Sequence, residues 1–186
     1  MQRSAAGELD DVLAVVAPVR QGLTDVMRTA SRKTAEYTVV APLVVGAELA
    51  GADPALVEVL RTAGRSLGVA FQLGDDILGT FGDERTTGKS IRSDLAQGKV
   101  TALVVLARRT SAWPEVAAHL GDPDASPDDA RRVRAALERT GVRADLEDLV
   151  VHYAEHGLRL LDDPAVPPAL RAALEPHARS VVARAR

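Results

Sequence analysis

The run FQLGDDILGTFGDERTTGKSIRSDLAQGKVT, Phe71 to Thr101, decides how the chain is read. Asp75 and Asp76 stand late in a segment whose other residues are apolar at helical spacing, continuing to about Leu78. On a helix Asp75 projects beside Phe71 and Gly79, and Asp76 beside Gln72. Adjacent carboxylates repel, and a mostly buried helix tolerates them only with positive compensation. A small hard cation supplies it, because Mg²⁺ takes one or two carboxylates together with substrate phosphates. The stretch Gly79 to Gly98 reads as a polar loop carrying matching chemistry. Lys89 follows Gly88 and Lys99 follows Gly98, each a mobile point charge that reaches a phosphate. Asp83 and Asp94 would orient these lysines or ligate the metal through water. Taken singly, a solvated aspartate pair and a Gly-Lys loop are ordinary. Their co-occurrence in one short stretch points to a diphosphate site.

Working outward, hydrophobic spacing follows the helical period in nearly every long segment. Helices are expected at about Ala6–Ala17, from Thr24 as N-cap towards Leu49 with a kink at Pro42, and from Pro54 with Asp53 as N-cap. Further helices are expected at about Lys99–Arg109, from Asp128 or Asp129, at Ala144–Leu161 and at Pro168–Ala183. The fold class is all-α, a helical bundle, with residues 1–186 forming one domain. The chain has 186 residues, 46% of them hydrophobic but only 3% aromatic, so Ala, Val and Leu build the interior. No cysteine is present, which excludes disulfide frameworks and thiolate metal sites. A net charge of −3 argues against a duplex-binding surface. The opening residues show no signal-peptide core and no segment suits a bilayer, so a cytoplasmic protein is expected.

FQLGDD followed by GDERTTGK and SDLAQGKVT resembles the second aspartate-rich region of the trans-isoprenyl diphosphate synthases. These all-α enzymes condense isopentenyl diphosphate with an allylic diphosphate. Arg32-Lys33-Thr34-Ala35, with Tyr37-Thr38 and Pro42, resembles the family's Lys-Thr helix. GELDDVL, Gly7 to Leu13, resembles the Gly-Gln-x-x-Asp segment upstream, with Glu8 in place of glutamine. The resemblance implies that Asp75 and Asp76 ligate Mg²⁺ and that Lys33, Lys89 and Lys99 contact the allylic diphosphate. It places Thr34 and Gln72 along the developing allylic cation, where oxygen dipoles stabilise positive charge.

Two departures shape the expectation. The family's Asp-Asp-x-x-Asp reads here Asp75-Asp76-Ile77-Leu78-Gly79, so the third carboxylate is absent. Asp83 would replace it only if the helix ran on. The family's first aspartate-rich motif has no counterpart, since the early pair Asp10-Asp11 lacks a third aspartate and the following arginines. The chain therefore reads as the C-terminal half of such an enzyme. It is expected to be a subunit of a split, hetero-oligomeric synthase, inactive without a partner chain that supplies the first motif. The alternative is a non-catalytic regulatory subunit that binds a complete synthase. Terpene cyclases share the architecture but use an asparagine-containing metal motif, and this sequence has no asparagine. His152 and His156 are spaced to share a metal but fall on a polar helix face, and are expected to be solvated. Trp113 reads as a packing anchor at a helix start. Arg131-Arg132-Val133-Arg134 reads as surface, and Arg184 and Arg186 as a basic tail.

Overall fold

Asp53 and Pro54 start the longest helix of the chain as their chemistry dictates. The Asp53 side chain accepts from the Ala55 N–H at 2.8 Å, and proline at the first turn gives up a donor that has no helical partner. In the computed structural model, which describes residues 21–82 and 95–185, every regular element is a helix. A continuous rod comprises α1 (Leu23–Ala30), a π-helical stretch (Ser31–Val40) and α2 (Ala41–Leu49). Then follow α3 (Pro54–Phe81), α4 (Ala102–Ala107), α5 (Trp113–His119), α6 (Pro127–Arg139), α7 (Val142–Leu160) and α8 (Pro168–Ala185). No described helix is long and apolar enough to cross a membrane.

Helix α3 is the axis of the bundle. It packs against α7, the π-helical stretch, α8 and α2. Close approach is bought with glycine: a Cβ on Gly68 would lie 2.4 Å from Ala35 Cα, and one on Gly64 3.3 Å from Val40 Cγ2. On the other side, a Cβ on Gly157 of α7 would meet Leu67 Cδ2 at 2.7 Å. The interior is aliphatic, with Leu60, Leu73, Leu146, Val150 and Leu161 all but fully enclosed. Ser66 is buried and donates to the Tyr153 carbonyl at 2.8 Å, tying α3 to α7.

The irregularity expected at Pro42 lies upstream of it. Buried positions along the rod are Val26, Ala30, Ala35, Val40 and Val44, stepping by four, five, five and four residues. The Ala41 N–H donates to Glu36 O, five residues back. The widened turn ends just before the proline, whose ring crowds the carbonyl four residues earlier and whose nitrogen has no hydrogen to give.

Several boundaries differ from expectation, each for a local reason. The rod starts with Gly22 as N-cap, not Thr24, because the Asp25 carboxylate reaches back to the Gly22 N–H at 3.0 Å. Helix α3 runs past Leu78 to Phe81, so Gly79 is helical and the loop begins later. Its C-terminal carbonyls are satisfied by Arg134, which donates to Thr80 O and, at 3.3 Å, to Gly82 O. The helix ends short of Asp83, which lies outside the described residues. Helix α4 begins at Ala102 rather than Lys99, because Gly98 turns the chain at φ 65° and Thr101 is extended. Ser126, not Asp128 or Asp129, caps α6, in a reciprocal box with Asp129. The expected helix at Ala6–Ala17, with Glu8, Asp10 and Asp11, lies outside the described residues.

Candidate functional site

Lys33 on the π-helical stretch, Gln72, Asp75 and Asp76 on α3, and Lys99 ahead of α4 line one cavity of about 190 Å³. Three separate segments therefore deliver the two carboxylates and two of the three lysines singled out from sequence. The packing of Ala35 onto Gly68 makes this possible, because it sets the neighbouring Thr34 against Gln72, one turn further along α3. Lys89 lies outside the described residues.

A chain of polar contacts crosses the cavity wall. Thr34 Oγ1 donates to Gln72 Oε1 at 2.5 Å, and Gln72 Nε2 donates to Asp76 Oδ1 at 2.9 Å. Lys99 Nζ lies 3.5 Å from the same carboxylate oxygen. Asp76 is only 4% exposed, so its charge is met by protein partners, Gln72 and Lys99 among them, rather than by bulk water. Asp75 is half-buried and presents its carboxylate to the same space. With its amide bonded on both sides, Gln72 has one orientation: its oxygen engages the Thr34 hydroxyl hydrogen, leaving the hydroxyl lone pairs free to face positive charge.

Two acids and two bases facing a small, partly enclosed space suit an anion together with a hard cation. Among the described residues no three His, Asp or Glu side chains form a metal cage by themselves. That donor set fits Mg²⁺, which keeps waters and takes phosphate oxygens besides one or two carboxylates. It does not fit zinc, which wants nitrogen or sulfur ligands in a closed tetrahedron.

Other sequence candidates lie elsewhere. His152 and His156 are exposed and stack at 6.5 Å between ring centroids, on the solvent side of α7. Trp113 begins α5 and packs on the main core, with Arg108 over its ring at 5.5 Å. Arg131 pairs with Asp128, and Arg132 with Glu115 and Asp129, at the surface; Arg134 departs from that reading as the cap of α3. Arg184 lies over the Phe71 ring at 5.6 Å, a turn from Asp75. Sequence reading passed over six further wall residues: Gln21, Val26, Thr29, Ala30, Val100 and Thr101. For the two threonines the signal was only positional, since Thr29 precedes Lys33 by four residues and Thr101 follows Lys99 by two.

Comparison with known proteins follows the same lines. The chain is 37% identical over 138 residues to a geranylgeranyl diphosphate synthase of Mycobacterium tuberculosis, covering 73% of this chain and 39% of that protein. It is 34% identical over 142 residues to heptaprenyl diphosphate synthase component 2 of Geobacillus stearothermophilus, covering 76% and 44%. The fold superposes on a geranylgeranyl pyrophosphate synthase of Corynebacterium glutamicum, complexed with isoprenyl diphosphate and magnesium, at a TM-score of 0.90. That match has 33% identity and covers 98% of this chain and 52% of the other. The chain thus spans about half, or less, of the length of these relatives. With residues 1–138 matching the polyprenyl synthetase family model, and the helical bundle of those enzymes reproduced around the cavity, the chain belongs to the polyprenyl synthetase family.

Proposed function

We propose that this chain is one subunit of a split trans-prenyl diphosphate synthase, folding as one all-α unit and contributing the second Asp-rich half of the active site. The assembled enzyme condenses isopentenyl diphosphate with an allylic diphosphate. The observation that carries the reading is the convergence of Lys33, Asp75, Asp76 and Lys99 on one cavity, linked by the Thr34–Gln72–Asp76 hydrogen bonds.

In this reading Lys33 and Lys99 hold the allylic diphosphate, with Lys89 as a third contact, and stabilise the charge that builds on it as the carbon–oxygen bond breaks. Thr34 presents hydroxyl lone pairs, and the Gln72 amide oxygen adds a fixed dipole, beside the developing allylic cation. Asp76 keeps Gln72 in register and Lys99 close to the anion. Asp75 and Asp76 would hold Mg²⁺, whose role is to neutralise the diphosphate as it leaves.

The second wall, with the first Asp-rich motif and the isopentenyl site, is assigned to a partner polypeptide. Two observations support that assignment. The rod carries Tyr37, Val45 and Leu49 at 74%, 51% and 85% exposure, an apolar face that water does not favour. A relative of comparable coverage is named as component 2 of a heptaprenyl synthase. The second reading, a regulatory subunit without chemistry of its own, is favoured by Gly79 standing where the family has a third carboxylate.

A Mg²⁺-dependent condensation assay separates them, run on the chain alone and on the complex purified from its own cells. Activity in the complex, abolished by Asp76→Ala without dissociation, is the expected result. Undiminished turnover by the Asp76→Ala complex would leave the chain a regulator. Turnover by the chain alone would overturn the split site.

A further inference from the structure

Three polar residues are buried among the described residues: Ser66, Asp76 and Thr101. The first two have partners described above. Thr101 is 6% exposed and stands at the N-cap of α4, where a threonine hydroxyl ordinarily accepts from the first turn. It makes no such bond, and its hydroxyl has no hydrogen-bond partner among the described residues. The one fully enclosed side-chain polar atom without a partner there is His119 Nδ1, so the Thr101 hydroxyl keeps an opening. Thr101 lines this cavity and also a second, largely apolar one beside Leu103 and Val104, and of the two only the first gathers charged groups that suit a hydroxyl donor.

Thr29 repeats the pattern on the segment of the rod that lines the cavity. Thr62 within α3 and Thr140 at the end of α6 return their hydroxyls to carbonyls four residues back, at 3.0 and 2.8 Å, whereas Thr38 and Thr80 do not. The Thr29 hydroxyl makes no hydrogen bond among the described residues, and Thr29 lines the cavity. Each threonine lines the cavity beside a lysine close to it in the chain. Thr29 and Lys33 are four residues apart on the rod, and Lys99 and Thr101 bracket a tight turn in which the Thr101 N–H donates to the Lys99 carbonyl at 3.0 Å.

We propose that Thr101 and Thr29 are diphosphate-binding residues, each hydroxyl donating to an oxygen of the anion held by the neighbouring lysine. A lysine ammonium attracts the anion without fixing its orientation, whereas a hydroxyl on a short, β-branched side chain is directional. Two Lys/Thr pairs from separate segments of the chain would therefore set how the diphosphate lies, and with it where the allylic carbon meets Thr34 and Gln72. The inference rests on the diphosphate reading of the cavity given above.

The test is calorimetric binding of inorganic pyrophosphate with Mg²⁺ to the full chain, with thermal midpoints measured alongside. Thr101→Val keeps the shape and removes the hydroxyl; Thr101→Ser keeps the hydroxyl. Thr101→Val should weaken binding about ten-fold, as loss of a hydrogen bond to a charged group does, while Thr101→Ser stays within about two-fold of wild type. Thr29→Val, at a half-buried position, should show a loss of the same order independently. If both valine variants bind as wild type while Lys99→Ala does not, the hydroxyl assignment is overturned and the diphosphate site stands. If Thr101→Ser is as weak as Thr101→Val, the effect is packing and the assignment is again overturned. Failure of the wild-type chain to bind pyrophosphate would overturn the assignment and the reading beneath it together.

Discussion

Replacing Gly68 by alanine puts a number on how the site is held. The new Cβ would sit 2.4 Å from both Ala35 Cα and Cβ, against the about 3.5–4.0 Å at which carbon atoms rest. One obstructing atom is backbone, so relief requires the rod and α3 to part by more than about 1 Å. Overpacking of this kind costs about 1–3 kcal/mol, here at the upper end, and the better helix propensity of alanine returns about 1 kcal/mol. The net expectation is a loss of about 2 kcal/mol. Gly74, on the same helix, is the control: its Cβ would meet Val181 Cγ1 at 3.7 Å, an ordinary contact. Gly74→Ala should therefore be neutral or stabilise by up to about 1 kcal/mol. Urea unfolding followed by far-ultraviolet circular dichroism measures both. Parting the helices also stretches the 2.5 Å Thr34–Gln72 bond past hydrogen-bonding range, so Gly68→Ala should weaken pyrophosphate binding and Gly74→Ala should not. Equal stabilities for the two variants would refute the argument that close contact at Gly68 aligns the site.

Three further expectations follow from single contacts. Ser126→Ala removes the cap of α6 and should cost about 1 kcal/mol at neutral pH. The Ser126 hydroxyl and N–H bonds hold the Asp129 carboxyl below its ordinary 3.8, so the part of the stabilisation that rests on the ionised carboxylate is present above 3.8 and is lost as pH falls through the lowered value, while the Asp129 N–H bond to Ser126 Oγ persists. The gap in thermal midpoint between wild type and Ser126→Ala should narrow in acid; a gap of constant size would count against it. Arg134→Ala strips the donors from Thr80 O and Gly82 O, and should lower stability by about 1–2 kcal/mol and raise amide exchange at the end of α3. Leu49→Lys touches no core and should change the chain's stability by less than about 0.5 kcal/mol, yet weaken co-purification of the partner; unchanged recovery would move the docking face elsewhere.

What the sequence made legible was local. Asp53-Pro54 announces a helix start because the cap and the missing donor act within one turn, and the structure has them in those roles. His152 and His156 were placed in solvent by the phase of Leu146 and Val150, whose burial fixes the opposite face of α7. Lys33, Asp75, Asp76 and Lys99 belong to segments far apart in the chain, and no spacing rule brings them together. Their resemblance to a known motif set anticipated the convergence, and the cavity displays it. What stayed hidden depended on tertiary partners. Arg134 looks like any surface arginine until α6 lies across the end of α3. Thr101 looks like an ordinary N-cap until its hydroxyl is found to make no bond to the helix it begins. The extension of α3 past Leu78 was missed because Gly79 and Thr80 are weak helix formers, and Arg134 and the packing of Phe81 outweigh that weakness.

The five-residue steps in the rod carry a consequence for length. Ala35 and Val40 abut Gly68 and Gly64, which are four apart on α3, so the rod spends one more residue than its neighbour over the same span. That residue is slack. Dropping one position between Ala35 and Val40 would tighten the coil to ordinary α spacing while leaving both contacts in place. Elsewhere in a packed helix, losing a residue turns everything beyond it by about 100° and sets an apolar face in water. The stretch beside Lys33 and Thr34 is therefore where the rod has a spare link, able to absorb a change of length without unseating either the lysine above it or the packed face below.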